Sequence, residues 1–261
     1  MTTFERGGVS IHYVVEGSGP AILLIHGFAS SLHGNWRAPG ILGALAAAER
    51  QVVALDCRGH GKSSKPHDPG SYAGAAMADD AIALLDHLAL REVDLMGYSM
   101  GGWIAASLLV NHATRFRSVI LSGVGDEMLA GALPRARSEA IANALEGKGA
   151  ASSAAATARA FRAFAEQQKN DLAALAALQR AARIRVDAEK LGQVDKPVMV
   201  LVGEGDTLVG TAEKLAAAIP GARHVRVPGD HLSAVLTPEF KHAVESFLAV
   251  HSPAVARPGR S

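Results

Sequence analysis

The stretch Val93-Asp94-Leu95-Met96-Gly97-Tyr98-Ser99-Met100-Gly101-Gly102 limits what this chain can fold into more than any other. Val93 to Met96 is a short apolar run that reads as a buried strand. It breaks at Gly97. From Gly101 an Ala-rich apolar pattern (Trp103, Ile104, Ala105, Ala106, Leu108, Leu109) continues at helical spacing. Between strand and helix sits Gly-x-Ser-x-Gly. A strand that turns abruptly into a helix around one serine strains that residue's backbone and lifts its hydroxyl above the sheet. Glycines flank the turn because strand and helix backbones pass too close for a Cβ. The helix aims its N-terminal amides and positive dipole end at any anion forming beside Ser99. The bland alternative is a Gly-Ser turn whose serine only caps the helix. A catalytic reading therefore needs a base, an acid and oxyanion donors from elsewhere.

The rest of the chain reads as strands alternating with helices. Ser10–Val15 alternates apolar and polar residues. Ala21–Ile25 is continuously apolar, as a strand covered on both faces should be. Gln51–Leu55, Ser118–Leu121, Pro197–Val202 and Arg223–Val227 are further strands. Helical periodicity covers Pro39–Arg50, Tyr72–Leu88, the Ser99 helix to Asn111, Thr211–Ala218 and Pro238–Val250, and Ala29 to Asn35 reads as a polar loop. From Asp126 to Gln193 no strand is evident. Ala-rich, Arg-dotted helical stretches (Pro134–Leu145, Ser152–Gln168, Asp171–Arg183) occupy that span. The expectation is an α/β protein with a mostly parallel sheet flanked by helices. Its core spans 1–125 and 194–250, with an inserted helical lid at 126–193 and a disordered tail at 251–261.

Composition removes several functions. Lys plus Arg number 26 against 25 Asp plus Glu, a formal charge of +1, so nothing pulls the chain towards nucleic acid or an anionic membrane. No run is long enough to span a bilayer, and Met1 to Gly7 carries no apolar signal region. The one cysteine, Cys57, excludes an internal disulfide and suits a reducing compartment. These features make a cytoplasmic protein the default expectation. No His-Glu-x-x-His and no paired Cys/His spacing points to a metal, and no cofactor is implied. Gly59-His60-Gly61-Lys62-Ser63 lacks the first glycine of a phosphate loop.

Functional groups in open α/β sheets gather beyond the carboxyl ends of the strands. There the chain carries His26-Gly27-Phe28, Asp56-Cys57-Arg58-Gly59-His60-Gly61-Lys62-Ser63, Gly97-Tyr98-Ser99-Met100-Gly101-Gly102, Gly203-Glu204-Gly205-Asp206 and Gly229-Asp230-His231. In this order the five elements resemble the α/β-hydrolase superfamily over nearly the whole chain, including the order Ser…Asp…His. The resemblance implies that fold and a triad of Ser99, His231 and Asp206. A serine is a poor nucleophile until a base takes its proton. His231 suits that transfer at neutral pH, and Asp206 would orient the imidazole and stabilise its cation. The oxyanion hole would be the backbone N–H groups of Met100 and of Phe28, with His26 bracing the latter's loop. Glu204, Asp230 and Asp126 remain rivals for the acid. Asp56, Arg58, His60 and Ser63 read as a turn network.

The lid would roof the pocket. Trp103, Phe161 and Phe164 are candidate substrate-binding residues, with Met128 and Leu129 beside them. Arg135, Arg137, Arg159, Arg162, Arg180, Arg183 and Arg185 are either a solvated face or include one that grips a substrate carboxylate or phosphate. The resulting expectation is a serine hydrolase of the carboxylesterase type. It would cleave a small carboxylic ester through an acyl-Ser99 intermediate, with a small-molecule substrate as its partner. The elbow is also similar to those of carbon–carbon hydrolases, enol-lactonases and the menaquinone-pathway synthase that eliminates pyruvate, which act on anionic substrates. Epoxide hydrolases and haloalkane dehalogenases would need Asp where Ser99 stands. A ligand receptor on the same fold is the non-enzymatic alternative. The sequence leaves the oligomeric state open.

Overall fold

The computed structural model describes residues 2–132, 134–149, 155–182 and 184–253. Its centre is an eight-stranded sheet. The strands are β1 (Thr3–Arg6), β2 (Val9–Glu16), β3 (Ala21–Ile25), β4 (Gln51–Leu55), β5 (Val93–Tyr98), β6 (Phe116–Ser122), β7 (Val198–Gly203) and β8 (Arg223–Val227), in the order β1-β2-β4-β3-β5-β6-β7-β8. β1 and β2 run antiparallel to each other and β2 runs antiparallel to β4. From β4 to β8 every pairing is parallel.

The helices follow from what the strands expose. Successive strand residues point to opposite faces, so each apolar strand offers two sets of side chains. Ile22, Leu24, Val52, Ala54, Met96, Ile120, Met199 and Leu201 pack under α1 (Ile41–Ala47) and, later in the chain, a C-terminal helix at Pro238–His251. Leu23, Ile25, Val53, Leu55, Leu95, Val119, Leu121 and Val200 pack on the other face against α2 (Ala76–His87) and α3 (Met100–Asn111). Helix α3 is apolar all round and buried from Gly101 to Leu109, as a helix between sheet and overlying elements must be. Between β6 and β7 lie α4 (Arg135–Leu145), α5 (Ala155–Gln167), α6 (Leu172–Arg180) and the short α7 (Ala188–Leu191). α8 (Glu213–Ala218) links β7 to β8, and α9 (Pro238–His251) closes the fold.

The structure differs from the sequence reading in several places. β1 is a strand that the sequence pattern does not announce, since four residues leave too short a period. Within Ala29–Asn35 the chain enters a π-helical turn at His33–Arg37, which buries Asn35 and Trp36. The helix expected over Tyr72–Leu88 is split: a 3₁₀ turn covers Pro69–Tyr72, Gly74 takes φ +59°, and α2 begins at Ala76. The disordered tail expected from His251 does not describe the first residues of that stretch. His251 ends α9, and Ser252 is buried, its hydroxyl accepting from Arg50 at 3.1 Å. Ser152–Ala154 of one expected helix, Arg183, and 254–261 of the tail lie outside the described residues. No described helix is long and apolar enough to cross a membrane.

Strand order places the site. β3 connects to β4 on one side, and β5 pairs with β3 on the other, so the direction of winding reverses between β3 and β5. The loops leaving their carboxyl ends diverge there and open a crevice. The turns at Gly27-Phe28 and at Ser99 are those two loops.

Candidate active site

Ser99 sits between β5 and α3 at φ 53°, ψ −110°. Such a backbone costs about 1–3 kcal/mol at a non-glycine residue and persists only where its surroundings hold it. Here the Ser99 N–H donates to the Ser122 carbonyl of β6 at 2.8 Å, and the Ser99 carbonyl accepts from Trp103 N–H at 3.1 Å. A Cβ on Gly97 would lie 2.0 Å from the Gly101 carbonyl oxygen, and one on Gly101 would lie 2.0 Å from that of Ile25. Both glycines are required by close backbone approach. The serine side chain makes no capping bond to the helix, so the capping alternative does not describe it.

The Ser99 hydroxyl instead meets His231, with Nε2 to Oγ at 2.9 Å. On the far side of the ring Nδ1 lies 2.7 Å from Asp206 Oδ2. Asp206 Oδ1 accepts from the Leu208 and Val209 amides at 3.0 and 3.3 Å, and its side chain is fully buried. With one oxygen held by amides, the other faces the imidazole in a fixed direction. His231 stands in a turn that Asp230 organises: Oδ1 accepts from the Leu232 and Ser233 amides, and bonds from Ser233 hold the Asp230 carboxyl below its usual range.

The rival acids are thereby sorted. Glu204 is exposed, Asp230 is engaged in its own turn, and Asp126 Oδ1 accepts from the Leu215 amide at 2.9 Å.

Opposite, the Gly27–Ala29 loop is pegged on both sides of Phe28. Gly27 N–H donates to Asn35 Oδ1 at 2.8 Å, and Ala29 N–H donates to His60 Nε2 at 3.1 Å. His26 Nε2 accepts from the Cys57 amide at 2.9 Å, so its Nδ1 carries the proton given to the Gly27 carbonyl at 2.8 Å. Each imidazole thus accepts at Nε2 and stays neutral. Burial lowers the pKa of His26, and that of His60 falls to about 3. Gly27 comes close enough that a Cβ there would lie 3.4 Å from Ser99 Cβ. At the start of α3 the Met100 amide is one of the first four N–H groups, which have no intrahelical acceptor. The two expected oxyanion donors therefore flank Ser99 from β3 and from α3.

Below this loop, Asp56 accepts from the Leu32 and Lys62 amides and contacts His12 Nδ1 at 2.9 Å. Arg58 pairs with Asp80, and the Cys57 thiol is buried with its pKa raised. This is the turn network expected from the sequence.

Ser99 and His231 border two clefts. The inner one, under α4, α5 and α6, is lined by Phe28, Trp103, Ile141, Phe161 and Leu178, with Glu127 and Arg137 as its charged residues. The outer one is lined by Asn35, Phe161, Phe164, Gln168 and Leu232. Trp103 thus belongs to the inner cleft, Phe164 to the outer, and Phe161 to both. Met128 is buried in the core. Burial raises the Glu127 carboxyl above its ordinary pKa, against the opposing pull of Arg137. Arg135 pairs with Glu139, Arg162 with Glu166, and Arg180 with Glu146. Sequence reasoning missed Asn35, Glu127 and Tyr98 as site residues. Among the described residues no group of three or more His, Cys, Asp or Glu side chains could hold a metal ion.

A model of the alpha/beta hydrolase fold family matches residues 20–177. An epoxide hydrolase of Caballeronia sordidicola is 35% identical over 112 residues, covering 43% of this chain and 33% of that protein. A fluoroacetate dehalogenase of Burkholderia sp is 40% identical over 117 residues, covering 42% and 37%. The match thus spans about a third of the length of these curated relatives. Solved structures align over nearly the whole chain. A hydrolase from Pseudomonas aeruginosa PA01 has a TM-score of 0.77 at 30% identity, covering 95% of this chain and 97% of that one. An enol-lactonase from Burkholderia xenovorans LB400 gives 0.75 at 25%, covering 95% and 100%. A thermophilic esterase from Thermogutta terrifontis gives 0.74 at 26%, covering 96% and 98%.

Proposed function

This chain belongs to the alpha/beta hydrolase fold family, and from that premise we propose that it is a serine hydrolase cleaving small carboxylic esters. The observation that carries the reading is the relay Ser99 Oγ–His231 Nε2 at 2.9 Å and His231 Nδ1–Asp206 Oδ2 at 2.7 Å. Nucleophile and base within hydrogen-bond reach, with a third group orienting the base, is the arrangement nucleophilic catalysis needs.

His231 takes the Ser99 proton as Oγ bonds to the ester carbonyl carbon. The carbonyl oxygen becomes an anion held by the Phe28 and Met100 amides. The tetrahedral species collapses, the C–O bond to the alcohol breaks, and His231 returns the proton to the leaving alkoxide. Water then repeats the sequence on the acyl-Ser99 ester, releasing the acid and restoring the serine. Asp206 stays ionised and stabilises the imidazolium. The family also contains enzymes named for epoxide and carbon–halogen chemistry, but those reactions call for a carboxylate where this chain has Ser99.

The test is labelling with a fluorophosphonate, which mimics the tetrahedral species, read by intact mass and peptide mapping. One adduct on Ser99, together with ester turnover that Ser99→Ala abolishes, is the expected result. No adduct on a folded protein, or Ser99→Ala activity within tenfold of wild type, would overturn the reading. Tight ester binding without turnover would make the protein a receptor.

A further inference from the structure

Most residues lining the inner cleft are apolar, and apart from Ser99 and His231 its ion-forming pair is Glu127 and Arg137. There Arg137 Nη1 donates to Glu127 Oε2 at 3.0 Å, with the two side chains 21% and 26% exposed. The pair bridges two parts of the fold. Glu127 lies on the 3₁₀ turn Asp126–Ala130 just beyond β6, and Arg137 lies in the first turn of α4. Ser138 and Gln179 line the cleft beside it. Arg162 and Arg180 are turned to carboxylates and carbonyls of α4 and α5 instead.

A guanidinium carries five N–H donors and a carboxylate several lone pairs, so one mutual bond leaves both able to engage a third group. Their charges cancel. A carboxylate arm entering the cleft would gain from Arg137 and be repelled by Glu127 at similar range. A hydrocarbon arm would strip water from the ion pair and return nothing, which is costly. A neutral group that donates and accepts at once meets both: its carbonyl faces Arg137 and its N–H faces Glu127.

Resting on the esterase reading above, we propose that Arg137 and Glu127 are specificity-determining residues selecting an ester whose arm ends in a neutral amide-like group. A site built to hydrogen-bond its substrate rejects the analogue lacking those groups far more strongly than an apolar pocket rejects a methylene.

The experiment uses two sets of three near-isosteric esters at pH 8. On the acid side they are methyl succinamate, monomethyl succinate and methyl 4-methylpentanoate. On the alcohol side they are the acetates of 3-hydroxypropanamide, 3-hydroxypropanoate and 3-methylbutanol. Within at least one set the carboxamide should exceed both partners in kcat/KM by about tenfold or more. Ratios within a variant cancel any general loss of activity. Glu127→Gln leaves Arg137 uncompensated and should raise the carboxylate-to-carboxamide ratio at least about tenfold. Arg137→Met should abolish the carboxamide preference. Flat ratios in both sets, or ratios unmoved by both variants, overturn the proposal. If no ester is turned over, the esterase reading fails separately, and calorimetric binding of the same esters to Ser99→Ala decides this one. Carboxamide-first binding supports it, and equal or absent binding overturns it.

Discussion

Tyr98 Oη donates to the backbone carbonyl of His231 at 2.7 Å, and the two rings lie 5.7 Å apart. The residue before the proposed nucleophile thus holds the main chain of the residue that would act as base. Burial raises the Tyr98 phenol's pKa, so it stays a donor at any working pH. Tyr98→Phe keeps the ring contact with Phe240 and removes only this bond. Unfolding free energy should fall by about 1 kcal/mol. Ester kcat should drop about tenfold with KM little changed, since small displacements of a catalytic group are costly. Steady-state kinetics beside a denaturant titration reads both. A silent kcat would mean the His231 turn is held well enough by Asp230.

The Ser99 backbone makes a stability prediction that opposes function. At φ 53°, ψ −110°, Ala is strained as much as Ser, whereas Gly is not. Ser99→Gly should therefore exceed Ser99→Ala in unfolding free energy by about 1 kcal/mol, after subtracting glycine's larger entropy in the unfolded chain. Both should lose ester turnover. Denaturant midpoints in the reverse order would show that the strain is not carried by this residue.

Much of this was legible in the sequence because it is local. Apolar five-residue runs such as Ala21–Ile25 become strands wherever both faces are covered, and Gly97 and Gly101 mark backbones in near contact. The pairing of His231 with Asp206 was legible only through the order of motifs, since 25 residues separate the two positions and nothing nearby encodes the distance. Asn35 and Tyr98 were opaque for another reason. Each acts through one hydrogen bond to a main-chain atom that tertiary packing delivers, and a polar side chain looks the same in the sequence whether or not that atom arrives. Arg137 is one of seven similar arginines in that span, and only packing brings it to the cleft that Ser99 borders.

The acid assignment separates by substitution. Asp206→Asn keeps the shape but offers His231 an amide, which favours the wrong tautomer. Ester kcat should fall by about 10³ or more, by analogy with other triads. Asp126→Asn retains an oxygen for the Leu215 amide and should leave kcat within about threefold. Equal losses, or a larger loss at Asp126, would remove Asp206 from the role.

The histidines behind the Gly27–Ala29 loop set an acid limit on stability. His26 and His60 are fully buried, and their rings lie 5.0 Å apart. Burial lowers both pKa values, that of His60 to about 3, while the Asp56 carboxylate pulls the other way and loses. In the unfolded chain a histidine titrates near 6.5. Between those values the unfolded state binds more protons than the folded one, so stability is complete above about pH 6.5 and is lost as pH falls. His60 contributes about 1.4 kcal/mol per pH unit in that window. Going from pH 7 to pH 5 should therefore cost about 2 kcal/mol through His60, and His26 adds to the loss in the same direction. His60→Gln keeps an acceptor for the Ala29 amide and removes one titrating group. Its stability at pH 7 will be lower, but the slope between pH 6.5 and 5 should fall by up to about 1.4 kcal/mol per pH unit, the share of His60. Urea titrations at half-unit steps give that slope directly, and an unchanged slope would place the acid sensitivity elsewhere than in this pair.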